Sequence, residues 1–308
     1  MLQIILGAVM LGLLWSIMTI GVYITYRILG IADLTVEGSI AMGAAIAAQA
    51  IYCGINPYAA TLLALGGGMA AGLITGLLHT RLKIPALLSG ILTMIALYSV
   101  NLRILGKANL SLLRMDTVYT AFKDMGLDKI AVFVNLGISQ LIPIIALGLI
   151  CVLGIIGILY WFFGTETGCA VRATGDNPQM SRAQGINTNN MIILGLIISN
   201  GLVAVSGALI AQQQNFADVQ MGIGSIVIGL ASVIIGEVLF GKRSFFSRLI
   251  SLVLGAITYR VIIAFVLEIG MPANDLKLFT AITVAIALAL PVFKSYLRPI
   301  AKSVKGGM

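Results

Sequence analysis

The sequence predicts an all-α, polytopic integral membrane helix bundle of about nine transmembrane helices. Three observations predict it. Only 10% of the 308 residues are charged, and 59% are hydrophobic, whereas soluble domains carry roughly 25% charged residues. The apolar residues form runs of about 20, the length that a helix needs to cross a bilayer. The longest connector between these runs is too short to fold as a separate soluble domain.

The apolar runs are separated by charged residues, Gly or Pro, which lets us place the spans in order along the chain. The chain is one transmembrane domain over residues 1–308, with an external loop at 106–136 and a cytoplasmic connector at 164–188. The spans are predicted at 2–26, 38–55, 57–79, 84–105, 137–163, 189–211, 222–240, 246–267 and 276–293.

Lys and Arg residues are unevenly shared between the two sides of these nine spans. The more basic side is expected to face the cytoplasm, which places the C-terminus inside and the N-terminus outside a bacterial cell membrane. An undetected crossing within 27–37 or 106–136 would reverse the N-terminal side. The basic side collects Arg27, Arg81, Lys83, Arg172, Arg182, Lys242, Arg243, Arg248, Lys294, Arg298, Lys302 and Lys305.

Composition also excludes several classes of function. Cys53, Cys151 and Cys169 are far apart and without a nearby His cluster, so they suggest neither a zinc site nor a disulfide framework. The net charge of +8 lies in connectors and the tail rather than on one basic face, so no nucleic acid partner is expected. The stretch 236–243 resembles a phosphate-binding loop but has Arg243 where Ser or Thr is required.

The polar connector at 164–188 carries the signals of a short helix. Asn177 suits the N-cap, Pro178 the first helical position and Gly185 a left-handed stop. These residues predict a helix of about two turns between Pro178 and Gln184, too short to be stable alone in water. We interpret it as a docking element, and an ordered loop without a partner is the alternative.

Two stretches share the pattern G-S-I-x-x-G at the start of a span. One is Gly38 to Gly43, containing Ser39, and the other is Gly224 to Gly229, containing Ser225. Five predicted spans separate the two starts, so the two copies enter the membrane from opposite sides. An inverted repeat of this kind places the transport pathway at its interface, which makes Ser39 and Ser225 candidate pathway residues.

Ionisable residues within or beside spans are functional candidates, because a charge near the bilayer centre is costly. Arg260 lies well inside its span and is predicted to snorkel outward, to pair with Glu268 or to line the pathway. Asp33 and Glu37 flank the break between the first two spans, where polar backbone can line a cavity or meet water. Glu237 is predicted to form an interfacial pair with the nearby Lys242 and Arg243.

Three strings carry a resemblance to a known family: RILGIADLTVEGSIAMGA from Arg27, AVRATGDNPQMSRAQGIN from Ala170, and the stretch 199–241 beginning SNGLVAVSGALIAQQQNF. They resemble ABC permeases of the branched-chain amino acid type, closest to bacterial amino-acid permeases that include aromatic amino acid importers. The resemblance covers nearly the whole chain.

The resemblance implies a function and a set of partners. The connector from Gly175 to Gly185 would be a coupling helix that inserts into an ATPase subunit, with Asp176, Asn177, Arg182 and Gly185 transmitting the movement. The ATPase would bind ATP and Mg, so this chain needs no cofactor of its own and is not an enzyme. An extracytoplasmic binding lipoprotein would deliver the substrate, and a second permease chain, in a homodimer, would complete the pathway.

Alternative functions stay open at this point. The same role with a nucleoside or sugar as substrate is compatible with the resemblance, because the receptor usually sets the choice. An ion-coupled secondary transporter would also suit an inverted repeat, but it needs acidic residues deep in the bundle, and the sequence places none there clearly. A channel would need a selectivity filter or a ring of charge, and neither is evident.

Overall fold

A computed structural model of the chain describes residues 2–123, 141–241 and 244–268, with scattered positions between 278 and 289. These residues are mostly helical. In chain order the elements are α1 (Leu2–Tyr23), a π-helical turn (Ile24–Ile28), α2 (Thr35–Tyr52), α3 (Pro57–Thr80), α4 (Ala86–Leu105), β1 (Asn109–Ser111), α5 (Val118–Lys123), α6 (Leu141–Phe163), α7 (Glu166–Asp176), α8 (Pro178–Ala183), α9 (Thr188–Gln214), β2 (Phe216–Asp218), α10 (Ser225–Phe240) and α11 (Phe245–Glu268).

The predicted spans correspond to helices, but their number is not confirmed. Each of the first eight predicted spans matches one helix, and the ninth, at 276–293, lies largely outside the described residues. Within the part of the chain that the structure describes, six segments are long and apolar enough to cross a membrane, and α2 and α10 are not among them. The six are Gln3–Ile28, Pro57–Thr80, Ala86–Leu105, Leu141–Phe163, Thr188–Gln214 and Phe245–Glu268.

Helix α9 is the centre of the bundle and packs directly on α1, α2 and α3. The hydroxyls of Ser199 and Ser206 donate hydrogen bonds to the carbonyls of Gly21 and Leu14 on α1, so α9 and α1 run antiparallel. Without water between them, membrane helices associate through close van der Waals contact and such hydrogen bonds.

Helix α3 presents to α9 a face of three glycines at four-residue spacing, Gly68, Gly72 and Gly76. A Cβ on Gly68 would collide with the carbonyl oxygen of Asn200, and one on Gly72 with that of Leu196. A Cβ on Gly76 would lie 3.1 Å from the Cα of Ile193. The two backbones therefore touch, as in other membrane helix pairs with small residues at the contact.

The bundle has two ends, which we name by their contents. The connector end holds residues 164–187, and there α7 packs so closely on the end of the π-helical turn that a Cβ on Gly175 would overlap the carbonyl oxygen of Ile28. The strand end holds the antiparallel pair β1–β2, in which Asn109 is opposite Asp218. The prediction that the connector end is cytoplasmic remains a prediction.

The glycine face of α3 predicts a stability difference between two substitutions on one helix. We expect Gly72→Ala to lower the free energy of unfolding by about 1–3 kcal/mol, the usual cost of overpacking a tight contact. Gly66→Ala is the matched control, because a Cβ there meets nothing within 4 Å and Ala favours a helix over Gly by about 1 kcal/mol. Thermal unfolding of the purified chains in detergent measures both, and equal midpoints would contradict the packing.

Candidate transport site and coupling connector

A buried polar network joins the segment before α2 to the midpoint of α9. The carboxylate of Asp33, which is 2% exposed, accepts hydrogen bonds from the backbone N–H of Thr35 at 2.9 Å and from Nδ2 of Asn200 at 2.8 Å. The hydroxyl of Ser39 donates to Oδ1 of Asn200 at 2.7 Å. Both functional groups of this buried amide are therefore satisfied, as burial of polar groups requires.

This network places the start of α2 inside the bundle rather than at its surface. Asn200 lies near the middle of α9 (Thr188–Gln214), and its hydrogen bonds hold Asp33 and Ser39 at that depth. Residues 29–34 thus carry non-helical backbone into the bundle, an arrangement tolerated in membranes only where protein or a cavity surrounds it.

The N-terminus of helix α10 lies against the first turn of α2. Oε1 of Glu37, in the first turn of α2, accepts a hydrogen bond from the backbone N–H of Gly224, the N-cap of α10, at 3.0 Å. A Cβ on Gly222 would overlap the carbonyl oxygen of Glu37. The negative carboxylate therefore lies at the positive end of the α10 dipole, a stabilising position.

From this meeting point the two helices diverge in opposite directions. The far end of α2 packs with β1 and β2 at the strand end. Near the far end of α10, Glu237 forms an ion pair with Nε of Arg27, at 3.3 Å, beside the π-helical turn at the connector end. The opposed directions of the two G-S-I-x-x-G helices support the predicted inverted repeat.

A cavity of about 460 Å³ opens beside this meeting point. Residues of α2, α4 and the segment before α10 line it, so the start of α2 and the chain that leads into α10 share one cavity. Nδ2 of Asn101, at its wall, donates to the carbonyl of Gly38 at 3.2 Å, while Oδ1 of the same side chain is buried with no partner among the described residues. The lining residues are Glu37, Gly38, Ala41, Met94, Ile95, Tyr98, Ser99, Asn101, Val219 and Ile223.

The structure brings together four of the five residues predicted for the pathway. Asp33, Glu37 and Ser39 belong to the network and its surroundings, and Ser225 begins α10 directly after the Gly224 N-cap. The hydroxyl of Ser225 is buried with no hydrogen-bond partner in the described part of the chain. Whether these side chains act in transport stays a prediction.

Arg260 lies apart from this group. Its guanidinium stacks over the ring of Trp15 on α1, 4.1 Å from the ring centroid, a cation–π contact that stabilises a cation away from water. Long helical side chains lean towards the N-terminus of their helix, which explains why Arg260 points towards Trp15 rather than Glu268. No ion pair joins Arg260 to Glu268 in the ranges described.

One sequence-based expectation about charge needs correction, and another is not tested. The described ion pair of Glu237 is with Arg27, and the predicted pairing with Lys242 and Arg243 stays a prediction because both residues lie outside the described residues. The sequence placed no acidic residue clearly inside the bundle, but the structure buries Asp33 and brings Glu37 to the same level. Hydropathy assigned both to a break between spans, and only the contacts with α9 and α10 reveal their depth.

The short helix of the connector has the predicted capping. The Asn177 side chain accepts a hydrogen bond from the backbone N–H of Met180 at 3.0 Å, and Pro178 is the first helical residue. Gly185 has a φ of +83°. The N–H of Gly185 donates a hydrogen bond to the carbonyl of Arg182, and the N–H of Ile186 donates one to the carbonyl of Ser181, both at 3.0 Å. This pair of hydrogen bonds is a Schellman motif. The helix ends at Ala183, one residue before the predicted end.

Sequence reasoning missed helix α7, which precedes this short helix. Its signal is local: Thr165 caps it by accepting a hydrogen bond from the N–H of Gly168, and Glu166 lies in its first turn. Gly175 docks α7 on the π-helical turn. The side chain of Arg182 donates to the hydroxyl of Thr188 at 2.7 Å, which ties α8 to the start of α9.

Asn200 and Asn101 are the other residues that the sequence did not single out. Both are neutral, so a search for ionisable residues within spans passes over them. A polar amide inside an apolar run is the available signal, since such side chains hydrogen-bond across membrane helices.

The polytopic bundle, with repeat helices starting inside it and a capped connector at one end, defines the chain as a membrane transport protein. Its family is the permease component of the branched-chain amino acid transport system, whose model matches residues 4–290. The chain belongs to this family, which confirms the resemblance, and it is a permease subunit.

Curated relatives agree with the family. The chain is 44% identical over 278 residues to a tyrosine transport system permease protein of Clostridioides difficile (strain R20291), covering 90% of this chain and 88% of the relative. It is 32% identical to an uncharacterized protein of Rickettsia prowazekii (strain Madrid E), covering 93% of this chain and 97% of the relative. It is 26% identical to an autoinducer 2 import system permease protein of Yersinia pseudotuberculosis serotype O:1b (strain IP 31758), covering 86% of this chain and 70% of the relative. No solved structure matches the chain.

The polar network predicts that Asn200→Ala destabilises the chain. The substitution leaves Oδ2 of Asp33 and the Ser39 hydroxyl without their buried Asn200 partner, and each unsatisfied group costs about 1–3 kcal/mol. Asn190→Ala, at an exposed position of the same helix, is the control and should change the thermal midpoint little. Equal midpoints for the two variants in detergent would show that the network does not hold α2 to α9.

Proposed function

We propose that this chain is the membrane-spanning subunit of an ABC importer that moves an amino acid, driven by ATP hydrolysed in a separate subunit. That ATPase would bind ATP and Mg and dock on α7 and α8. Family membership supports the importer class. The single observation that carries the coupling role is the short, doubly capped helix α8, exposed at the connector end.

Helix α8 has the properties of a docking element. With six residues it is too short to be stable alone, so the caps at Asn177 and Gly185 and the tie from Arg182 to Thr188 hold its shape. Its outer surface is exposed, and it includes Met180, an apolar side chain that is 59% exposed. An exposed apolar side chain on a rigid polar support suits insertion into a partner's groove.

Helix α7 offers a physical route from this docking element to the transport site. It packs on Ile28 through Gly175, and only four residues of the chain separate Ile28 from Asp33. Movement of α7 would therefore displace the segment that carries Asp33 and the start of α2. Two packed elements that shift together are the usual means of coupling sites within a protein.

An amino acid is the substrate that the comparisons favour. The relative at 44% identity is a tyrosine transport system permease protein, and it covers nearly the whole chain. The autoinducer 2 relatives share less identity, and they support the second candidate, the same ABC role with a sugar-like or nucleoside substrate.

The remaining parts of the assembly follow from the same proposal. The connector end and the C-terminus would face the cytoplasm, and the strand end would receive the substrate from an extracytoplasmic binding lipoprotein. The external segment is ordered there by a hydrogen bond from the Tyr119 hydroxyl to the carbonyl of Leu209, at 3.0 Å. A second copy of the chain would complete the pathway, since closed two-fold assemblies are the commonest oligomers.

An ion-coupled secondary transporter is the rival that one observation favours. Asp33 is buried at the break before α2, where carboxylates and helix ends bind coupling ions in such proteins. The two mechanisms differ in their energy source, so reconstituted chain that accumulates an amino acid on a Na⁺ or H⁺ gradient, with no ATPase present, would replace the ABC proposal.

Replacement of Gly185 tests the docking role. Gly185→Pro cannot adopt the φ of +83° and loses the N–H that bonds Arg182, so α8 should lose its stop and its shape. The permease, carrying a purification tag, is co-expressed with the ATPase and the receptor. We expect the amount of ATPase that co-purifies with the variant to fall at least about tenfold, the result of losing roughly 1.4 kcal/mol of binding energy.

Gly54→Pro is the matched control for this experiment. Gly54 lies at the opposite end, with a φ of +82° and an N–H bonded to the carbonyl of Ile51, so the substitution causes the same local loss. Equal ATPase recovery by the two variants would contradict the docking role of α8. Thermal midpoints of both variants, measured beside recovery, separate lost docking from lost folding.

A further inference from the structure

We propose that the cavity beside Glu37 binds the amino acid in transit, with the Glu37 carboxylate pairing with its α-ammonium group and the apolar walls holding a large apolar or aromatic side chain. This inference rests on the proposed function and deepens it by naming the site and the recognised group. Three properties of the cavity carry it: an anion without a cation, a wall of matching size and character, and a buried acceptor without a donor.

The anion is the first property. Glu37 lines the cavity and uses Oε1 to accept the N–H of Gly224. Among the residues that the structure describes, no Lys, Arg or His forms an ion pair with Glu37. The ion pair described there joins Arg27 to Glu237. A charge at this depth requires a counter-charge or a wet cavity, and a substrate ammonium in the cavity would supply that counter-charge.

The hydrogen bond to Gly224 gives the carboxylate a fixed position. It anchors one oxygen at the N-terminus of α10, whose dipole favours the ionised form, and leaves the second oxygen for another donor. A carboxylate held in place loses little further freedom when it binds, which favours recognition of one charged group.

The walls are the second property. The large apolar and aromatic side chains that line the cavity with Glu37 are Met94, Ile95, Tyr98, Val219 and Ile223. The volume of about 460 Å³ falls within the range of roughly 300–1,000 Å³ typical of small-molecule sites. An apolar wall facing one anion matches an amino acid with a large uncharged side chain.

The unpaired acceptor is the third property. Asn101 is 1% exposed and lines the same cavity, yet its Oδ1 has no partner within the described ranges. Buried acceptors without donors are rare in folded proteins and call for an explanation. An ammonium group carries three N–H donors, so it has donors left beyond the Glu37 carboxylate, and rotation of the buried Asn101 side chain would offer it this second acceptor.

These features favour an amino acid over the alternative substrates. A sugar or an uncharged nucleoside offers hydroxyl donors but no positive charge, so it would leave the Glu37 anion uncompensated. The site would therefore discriminate by charge within the permease, in addition to any choice that the receptor makes.

The test measures uptake of radiolabelled tyrosine and leucine by proteoliposomes that contain the permease with its ATPase and receptor. Glu37→Gln keeps an oxygen that accepts the Gly224 N–H and removes only the charge. For each of the two amino acids that the wild type transports, we expect Glu37→Gln to lower the maximal uptake rate by at least about tenfold. This is the effect of losing a hydrogen bond to a charged group. Glu37→Asp, which restores the charge, should recover part of the rate.

Two controls match these changes. Glu268→Gln removes the same charge at an exposed position of α11 and should leave uptake within about twofold of wild type, as expected for exposed charges. Ile95→Trp fills the cavity from its exposed rim and should block uptake, whereas Ile158→Trp makes the same change on an exposed face of α6 and should not. Thermal midpoints identify any variant that fails to fold, and the Ile95→Trp pair tests the cavity independently of Glu37.

Each outcome bears on a separate statement. Loss of uptake with Glu37→Gln and Ile95→Trp, but not with their controls, supports the site. Uptake by the wild type that both variants retain overturns the site and leaves the permease function standing. A wild-type complex that hydrolyses ATP but moves neither amino acid contradicts the proposed substrate class, and the inference then fails with it.

Discussion

The hydrogen bond between Asp33 and Asn200 fixes the position on which the rest of the candidate site depends. Residues 29–34 leave the helical conformation inside the bundle, where a polar backbone without partners would be strongly unfavourable. The Asp33 carboxylate satisfies the first turn of α2, and Asn200 holds that carboxylate to the centre of α9. With α2 started at this depth, Glu37 reaches the N-terminus of α10, so one anchored carboxylate positions both repeat helices.

Close contacts at small residues make this arrangement possible. Gly43 and Gly207 bring α2 and α9 together at their backbones, and Gly222 lets the segment before α10 touch the first turn of α2. A methyl group at any of these glycines would overlap a carbonyl oxygen of the partner segment. Because membrane helices gain little from burying apolar surface against each other, such contacts and the buried hydrogen bonds supply much of the specificity.

The parts of the structure that sequence could predict are those with local causes. Hydropathy located the helices, since the bilayer imposes a length and a composition. Asn177, Pro178 and Gly185 located α8, because caps act within one or two turns. The paired G-S-I-x-x-G motifs indicated two related helix starts, and Asp33 and Glu37 were candidates because they are ionisable.

The rest depends on contacts between distant segments. The sequence around Asn200 and Asn101 does not show that these side chains bond to Asp33 and Gly38. The sequence around Arg260 likewise does not show that its guanidinium stacks on Trp15. The number of spans was uncertain for the same reason. Helices α2 and α10 begin inside the bundle, so hydropathy alone cannot classify them as crossing the membrane.

The central claim is that the starts of α2 and α10, from opposite sides, face one cavity. Cross-linking tests it most directly: Ala41→Cys and Ile223→Cys, both on the cavity wall, are combined in a chain whose Cys53, Cys151 and Cys169 are replaced by Ser. A short bifunctional thiol reagent should join the two within one chain, detected by mass spectrometry of the linked peptides, whereas Ala41→Cys with Leu153→Cys on α6 should give no link. A folded, membrane-inserted chain in which residues 41 and 223 cannot be joined would contradict the account.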